Sequence, residues 1–86
     1  MTTSIMSTME RIARLLHEDG IDGSRVSPAT RINELFDDSL HYLQFLFLCE
    51  QEFGIPVDEE REPVRSAGTL GQLADAIDAL RQQRAS

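Results

Sequence analysis

The segment from Leu40 to Phe53 constrains the fold more than any other part of this sequence. Apolar residues occupy most of its positions, and it ends at Gly54, with Pro56 shortly beyond. A glycine in this place predicts a left-handed helix cap, and the proline prevents the helix from continuing. We therefore predict a helix from about Ser39 to Phe53. A helix that is apolar nearly all round must be buried or must meet a partner, and a chain of 86 residues cannot surround it.

Two more helices are predicted from amphipathic patterns on either side of this segment. Ser7 and Glu10 have the spacing of a capping box, and so do Thr69 and Gln72, which places a helix start at each. Apolar residues then recur at helical spacing: Met9, Ile12, Leu15 and Leu16 after the first box, and Leu70, Leu73, Ala74, Ile77 and Leu80 after the second.

A long loop is predicted between the first two helices, from Gly20 to Asp38, because glycine, proline and threonine interrupt the helical spacing there. Its apolar residues should anchor it across the core: Ile21, Val26, Ile32, Leu35 and Phe36. A short helical turn is predicted at residues 58–62, where Pro63 limits its extent. The fold class that follows is all-α, a small three- to four-helix bundle with a long loop between helices 1 and 2.

Size and charge limit what the chain can do. We expect one domain over residues 1–86, ordered from about residue 5 to about residue 82, and a monomer. Fifteen acidic residues outnumber eight basic ones, so we expect no nucleic acid as a partner, because phosphate binding requires a basic face. The single cysteine cannot form an internal disulfide, and no apolar run is long enough for a secretory signal or a membrane span. We therefore expect a cytoplasmic protein that binds no membrane.

Ser39 stands where the predicted loop becomes the apolar helix. Its hydroxyl can reach solvent there, and the N–H groups of the first helical turn point outward. The start of a helix favours anions through its dipole and through these amides, so a phosphodiester on Ser39 would be stabilised. Asp38, directly before it, is predicted to cap the helix.

The order of motifs around Ser39 resembles the acyl carrier protein family. The Asp-Ser-Leu tripeptide at 38–40 is followed by the apolar helix, by Glu-Phe-Gly-Ile at 52–55, by an acidic patch and by Thr-Leu at 69–70. The resemblance runs from about Met9 to Leu80 and is more specific than the tripeptide alone. It implies that Ser39 carries 4′-phosphopantetheine, whose terminal thiol holds acyl groups as thioesters.

The resemblance implies a shuttle and not an enzyme. A phosphopantetheinyl transferase, with Mg²⁺ and coenzyme A, would modify Ser39, and Asp38 would help to hold the metal or the cations of the transferase. Acyltransferases or ketosynthases of the pathway are the implied later partners. Tethering by the arm raises the effective concentration of the acyl group at a docked active site, so the chain itself needs no catalytic residue.

The apolar helix is predicted to divide its residues between the core and partners. Helical spacing places Leu43, Leu46, Phe53 and either Phe45 or Cys49 on the stripe that faces the core. We predict that four residues line the interior, namely Phe45, Leu46, Cys49 and Phe53, and that Leu40 and Phe47 face partners. The alternative is that the long loop covers the apolar side chains that the core does not bury. The predicted partner surface also includes His41, Gln44, Asp58 and Glu59.

The chain departs from the family pattern at His41 and Gln44, where carriers of fatty acid synthesis have acidic residues. Losing these charges weakens contacts with basic enzymes by about 0.2–1 kcal/mol each. A dedicated carrier of a specialised pathway, such as polyketide assembly or extender-unit supply, is therefore favoured over primary fatty acid synthesis. Two alternatives remain open at this point: a peptidyl or aminoacyl carrier, and an unmodified acidic helical module that binds one partner.

Other patterns predict no further site. His41 follows Ser39 by two residues, and such residues do not face each other on a helix, so we expect a solvated surface histidine and no catalytic dyad. Cys49 has the spacing of a buried, inert core residue. A calcium loop counted from Asp19 would need a glutamate where Thr30 stands, and two histidines without further ligands predict no zinc site.

Overall fold

The computed structural model describes residues 7–21 and 26–85, with the backbone alone at residues 84 and 85. Within these residues four helices follow one another: α1 at Thr8–Glu18, α2 at Ile32–Leu35, α3 at Ser39–Phe53 and α4 at Leu70–Ala85. The described residues contain no β-strand, only an isolated bridge between Arg31 and Thr69. The all-α prediction is confirmed. The ordered core was predicted to begin at about residue 5, but residues 5 and 6 lie outside the described residues.

Both predicted capping boxes are present. Ser7 caps α1 by accepting a hydrogen bond from the N–H of Glu10, whose carboxylate accepts in turn from the N–H of Ser7. At α4, Thr69 Oγ1 accepts from the N–H of Gln72, and Gln72 Oε1 accepts from the N–H of Thr69. These reciprocal bonds satisfy amides that a helix start would otherwise leave without partners, and they fix where each helix begins.

α1 packs against both α3 and α4, and the core lies between the three long helices. Its fully buried side chains come from all three: Ile12, Leu16, Phe45, Leu46, Cys49, Leu70, Leu73 and Ile77. Burying apolar area of this kind contributes about 25 cal/mol per Å², which is the main favourable term of folding. The predicted stripes of α1 and α4 therefore supply the core as expected.

The loop between α1 and α3 lies across the core, and all five predicted anchors pack there. Ile32 and Phe36 are buried, while Ile21, Val26 and Leu35 are partly buried against the core. The segment is not structureless, because four of its residues form α2, a helix that was not predicted. By contrast, residues 58–62 form turns and no helix. The fourth helix thus precedes α3 instead of following it.

The second half of this loop is fixed to the start of α4. The N–H of Gly71 donates to the carbonyl of Pro28 at 2.9 Å, and the N–H of Leu70 donates to that of Thr30 at 2.9 Å. A Cβ atom on Gly71 would lie 2.9 Å from the same Pro28 oxygen, so a side chain at this position would push the two segments apart. The close approach holds α2 in place beside the first turn of α3.

The buried stripe of α3 differs from the predicted one at two positions. Phe45, Leu46 and Cys49 are buried as predicted, but the side chain of Leu43 is 43% exposed, and its assignment to the core stripe is wrong. Successive residues turn by about 100°, so Leu43 lies about 200° from Phe45 when Phe45 points to the core. Phe53 is only partly buried, because it lies at the end of α3 with the Arg11 guanidinium 4.3 Å from its ring centre.

Candidate functional site

Contacts at both ends of α3 fix its position on α1. At the end, Arg11 Nε lies 2.8 Å from Glu52 Oε2, and a second Arg11 nitrogen donates to the Glu52 carbonyl at 2.9 Å. At the start, His41 Nε2 lies 2.5 Å from Asp19 Oδ2. Because the two contacts lie at opposite ends of α3, they determine both its position along α1 and its tilt relative to α1. The first turn, which contains Ser39, is therefore held in a defined place.

Ser39 is the first residue of α3 and is exposed to solvent. The preceding Asp38 has an extended backbone and caps the helix, with its Oδ1 accepting from the N–H of His41 at 2.8 Å. Its carbonyl accepts from the N–H of Tyr42 at 3.4 Å. Within the described residues, the N–H groups of Ser39 and Leu40 have no partner. The predicted arrangement of cap, hydroxyl and outward amides is present.

A groove opens beside Ser39, and we call it the Ser39 groove. Its volume is about 390 Å³. It is bounded by α2, by the first turn of α3 and by the segment before α4, and the lining residues are Ile32, Asn33, Phe36, Asp37, Asp38, Ser39, Tyr42, Ala67 and Gly68. This groove could not be predicted from the sequence, because its walls come from three separate segments of the chain.

His41 is not the solvated histidine that the sequence analysis expected. Besides its bond to Asp19, its ring meets the ring of Phe36 edge to face, with the centres 4.9 Å apart. Asp19 is the C-cap of α1, and a carboxylate at the negative end of a helix is stabilised by a hydrogen-bond donor. His41 therefore connects α1 to α3, and its ring points away from any dyad with Ser39.

The exposed residues of α3 form a face without charge. They are Ser39, Leu40, Leu43, Gln44, Phe47 and Gln51, and we call them the exposed α3 face. The large apolar members, Leu40 and Phe47, are 63% and 57% exposed, as predicted, and Leu43 joins them. The described part of the long loop leaves these side chains exposed. Beside them lies an open groove of about 460 Å³ lined by Asp19, Leu43, Gln44, Phe47 and Leu48.

The two acidic residues predicted on the partner surface lie outside α3. Asp58 accepts a hydrogen bond from the N–H of Glu60 and lies 3.9 Å from Arg61, and it lines another groove together with Leu80. Glu59 is close enough to Tyr42 to raise the pKa of its phenol. Glu59 thus adds negative charge near the half-buried Tyr42, and Asp58 adds it to a groove that borders α4.

The Cys49 thiol and the Tyr42 phenol keep their protons to unusually high pH. Burial, with a smaller contribution from Glu52, raises the pKa of the Cys49 thiol from its ordinary value of 9.0 to about 12. Burial also raises the pKa of Tyr42 from 10.0 to about 12, helped by Glu59 and Cys49. Since the thiolate is the reactive form, Cys49 is an inert core residue, as its spacing predicted.

These shifts predict that the fold loses stability in alkali. Between pH 9 and about 12 the folded chain keeps the Cys49 proton and the unfolded chain has lost it, so the stabilisation is complete below pH 9 and decreases as the pH rises. Each unit of raised pKa corresponds to about 1.4 kcal/mol. Urea unfolding at a series of pH values measures the decline. Cys49→Ala should start less stable and decline less steeply; equal slopes would contradict the assignment.

The described residues contain neither a metal-ligand cluster nor a membrane-spanning helix. Among them, no group of three or more His, Cys, Asp or Glu side chains is arranged to hold a metal ion. No helix in this part of the chain is long and apolar enough to cross a membrane. What the fold defines is a small helical bundle that presents a serine at the positive end of its central helix.

Comparison with known proteins identifies the class to which this bundle belongs. The chain is 32% identical over 63 residues to acyl carrier protein 2, chloroplastic, of Spinacia oleracea, a match that covers 73% of this chain and 47% of that protein. It is 30% identical over 79 residues to acyl carrier protein 5, chloroplastic, of Arabidopsis thaliana, covering 90% and 55% respectively. It is also 25% identical over 81 residues to the acyl carrier protein of Solidesulfovibrio magneticus, covering 92% and 97%.

All three matched proteins are acyl carrier proteins, and together they support membership of the chain in that family. It spans about half the length of the two plant relatives and nearly the whole of the bacterial one. No family model matches it.

Proposed function

We propose that this chain carries acyl groups on a 4′-phosphopantetheine arm attached to Ser39. The observation that supports this best is the position of Ser39, exposed as the first residue of α3 with two outward amides that have no partner in the described residues. A phosphodiester on its Oγ would lie at the positive end of the helix, within reach of those amides. The residues present therefore fit the group.

Attachment requires an outside catalyst. Ser39 Oγ would attack the pyrophosphate of coenzyme A, forming a new P–O bond while the bond to the nucleotide breaks, and the Oγ proton would pass to a base of the transferase. His41 is not available as this base, because its ring is bound to Asp19. Asp37 and Asp38 add negative charge beside the reacting phosphate, which suits a transferase that brings Mg²⁺. We propose that Asp38 helps to bind this Mg²⁺ in addition to capping α3.

The arm would supply the chemistry of a thiol that forms thioesters, and the chain would present it. Tethering gives the acyl group a millimolar effective concentration at a docked enzyme. The names of the relatives support a carrier role; a specialised pathway, such as polyketide or extender-unit supply, is our inference from the uncharged α3 face. The lone buried cysteine suits the reducing, cytoplasmic setting that we propose.

The test is intact-protein mass spectrometry after incubation with coenzyme A, Mg²⁺ and a broad-range phosphopantetheinyl transferase. The expected result is a mass increase of one phosphopantetheine, located on the peptide that contains Ser39. An unchanged mass would overturn the proposal and favour the unmodified interaction module. Loading of the modified protein by an acyltransferase, and not by an adenylating enzyme, separates an acyl carrier from a peptidyl or aminoacyl carrier.

We further propose that the transferase and the pathway enzymes dock on the exposed α3 face through apolar contacts. The face begins at Ser39 itself and continues through Leu40, Gln44 and Phe47, so an enzyme that reaches the serine meets it. It offers a partner no charge, although the chain as a whole has a net charge of −7. The fitting partner surface is therefore apolar, with basic groups only where it meets Asp58 and Glu59. His41 lies at the edge of this contact.

Truncating Phe47 should weaken docking at every salt concentration. We expect Phe47→Ala to raise the KM of the transferase for this carrier about tenfold. This factor corresponds to the free energy that is lost when one aromatic side chain is no longer buried in the complex. The double variant Asp58→Asn/Glu59→Gln should raise KM less, and only at low ionic strength, because exposed charges are screened. Gln51→Ala is the matched control on the same face. A Phe47→Ala effect that disappears in high salt would refute the apolar assignment.

A further inference from the structure

Four aromatic rings meet between the Ser39 groove and the core, and we call them the ring cluster. Its centre is Phe36, which follows α2 and contacts three rings of α3. The ring centre of Phe36 lies 4.9 Å from that of His41, edge to face, and 5.4 Å from those of Tyr42 and Phe45. Positions 41, 42 and 45 share one face of α3, because residues three and four apart are neighbours on a helix. Phe36 therefore packs against a continuous aromatic surface.

The ring cluster separates the groove from the interior of the bundle. Phe36 and Tyr42 line the groove, whereas Phe45 is fully buried in the core. Only 6% of the surface of Phe36 is exposed, so its ring closes the passage between the two. Ser39 lies on the groove side. A chain joined to its Oγ could enter the core at this point only by displacing the Phe36 ring.

Two further contacts hold the ring cluster in place. His41 Nε2 lies 2.5 Å from Asp19 Oδ2 at the end of α1, so the ring against which the edge contact is made is itself anchored. The N–H of Phe36 donates to the carbonyl of Ile32 at 3.2 Å, which fixes its backbone to α2. Aromatic pairs at these separations attract each other beyond the area that they bury. A close-packed interior also resists the insertion of further methylene groups.

We propose that the ring cluster closes the interior of this carrier to the acyl chain, so that its cargo consists of short or polar acyl groups held in solvent. This inference rests on the proposed attachment at Ser39. An alkyl chain that is kept out of the core leaves its methylene groups in water, and each further methylene group makes that state less favourable. A short or polar acyl group has little apolar surface to hide. Phe36 thus determines which cargo suits the chain, although it touches no reacting atom.

The test compares two acyl groups on the same protein. A broad-range phosphopantetheinyl transferase transfers the acylated arm from octanoyl-coenzyme A or from acetyl-coenzyme A, and intact-mass spectra confirm each product. In the original chain we expect the two forms to unfold at the same temperature, because the octanoyl chain stays outside. The methyl groups of the buried Leu46 and Ile77 should give the same NMR shifts in both forms.

Phe36→Ala should open the interior to the longer chain. The substitution leaves an apolar cavity next to the groove, and such cavities bind apolar groups. The octanoyl form of this variant should therefore unfold about 4 °C above its acetyl form, with altered methyl shifts at Leu46. Phe36→Leu keeps more of the packing and should show the same order with a smaller difference, which keeps the test decisive if the alanine variant does not fold. Val64→Ala, buried outside the ring cluster and the groove, is the control and should show no difference between the forms.

Each result supports or overturns the inference. Equal forms of the original chain, with a more stable octanoyl form in the Phe36 variants alone, support it. Altered core methyl shifts in the octanoylated original chain overturn it, and so do Phe36 variants whose two forms behave alike. Altered shifts at the exposed Leu40 and Leu43 also overturn it, because they would show a long chain sheltered on the exposed α3 face. Products without the added mass overturn the attachment at Ser39 itself.

Discussion

Ser39→Ala should abolish uptake of phosphopantetheine and leave the fold intact. The substitution removes the only atom that our proposal allows to form the phosphodiester, so intact-mass spectra should show no modified protein even after long incubation. The side chain is exposed, and the helix cap belongs to Asp38, whose bond to the N–H of His41 survives the change. Unfolding temperature and circular dichroism should therefore remain within experimental error.

The matched control for this substitution is Ser66→Ala. Ser66 is also exposed, and its hydroxyl binds only the Glu62 carboxylate of its own turn. We expect this variant to accept the arm at the rate of the original chain. Modification of the Ser39→Ala protein, or loss of modification in the Ser66→Ala protein, would show that the attachment site lies elsewhere.

Phe45→Ala should destabilise the bundle more than any other single substitution that we consider. The side chain is fully buried and contacts the ring of Phe36, with the ring centres 5.4 Å apart. Removing a buried phenylalanine leaves a cavity and costs about 3–5 kcal/mol. A small domain has only about 5–15 kcal/mol of total stability, so thermal unfolding should occur at least about 10 °C lower. Circular dichroism measured against temperature checks this.

Phe47→Ala is the matched control, because it removes the same side chain from the same helix two residues later. Phe47 is 57% exposed, and substitutions at such positions usually change stability by about 0.5 kcal/mol or less. If Phe47→Ala lowered the unfolding temperature as much as Phe45→Ala, both residues would belong to the core. The assignment of Phe47 to the docking surface would then fail.

Local signals in the sequence predicted the long helices well. The bounds of α3 and its left-handed cap at Gly54, with φ of 70°, depend on residues close together in the chain, and so do the capping boxes of α1 and α4. α2 could not be predicted in this way. Four residues are too few to show a helical period, and this helix depends on the bond from the N–H of Ile32 to Gly68, far along the sequence.

The rotation of α3 about its own axis and the contacts between distant segments could not be predicted from the sequence. When nearly every face of a helix is apolar, its periodicity no longer indicates which stripe is buried, and Leu43 was placed inward for this reason. The bond between His41 and Asp19 joins residues that are 22 positions apart, and no local pattern signals it. The positions of Asp38 and Ser39 at the start of α3 could be predicted because a helix start is a local feature, whereas the groove beside them requires three segments to meet.

The burial of Cys49 limits the thiol reactions that the folded chain can undergo. Cys49 carries the only thiol in the sequence and is fully buried in the bundle. Air oxidation therefore cannot form a disulfide between two folded chains through it. A maleimide dye applied to the folded, modified protein would therefore label the arm alone, and the colour bound per chain would count the arms that carry no acyl group.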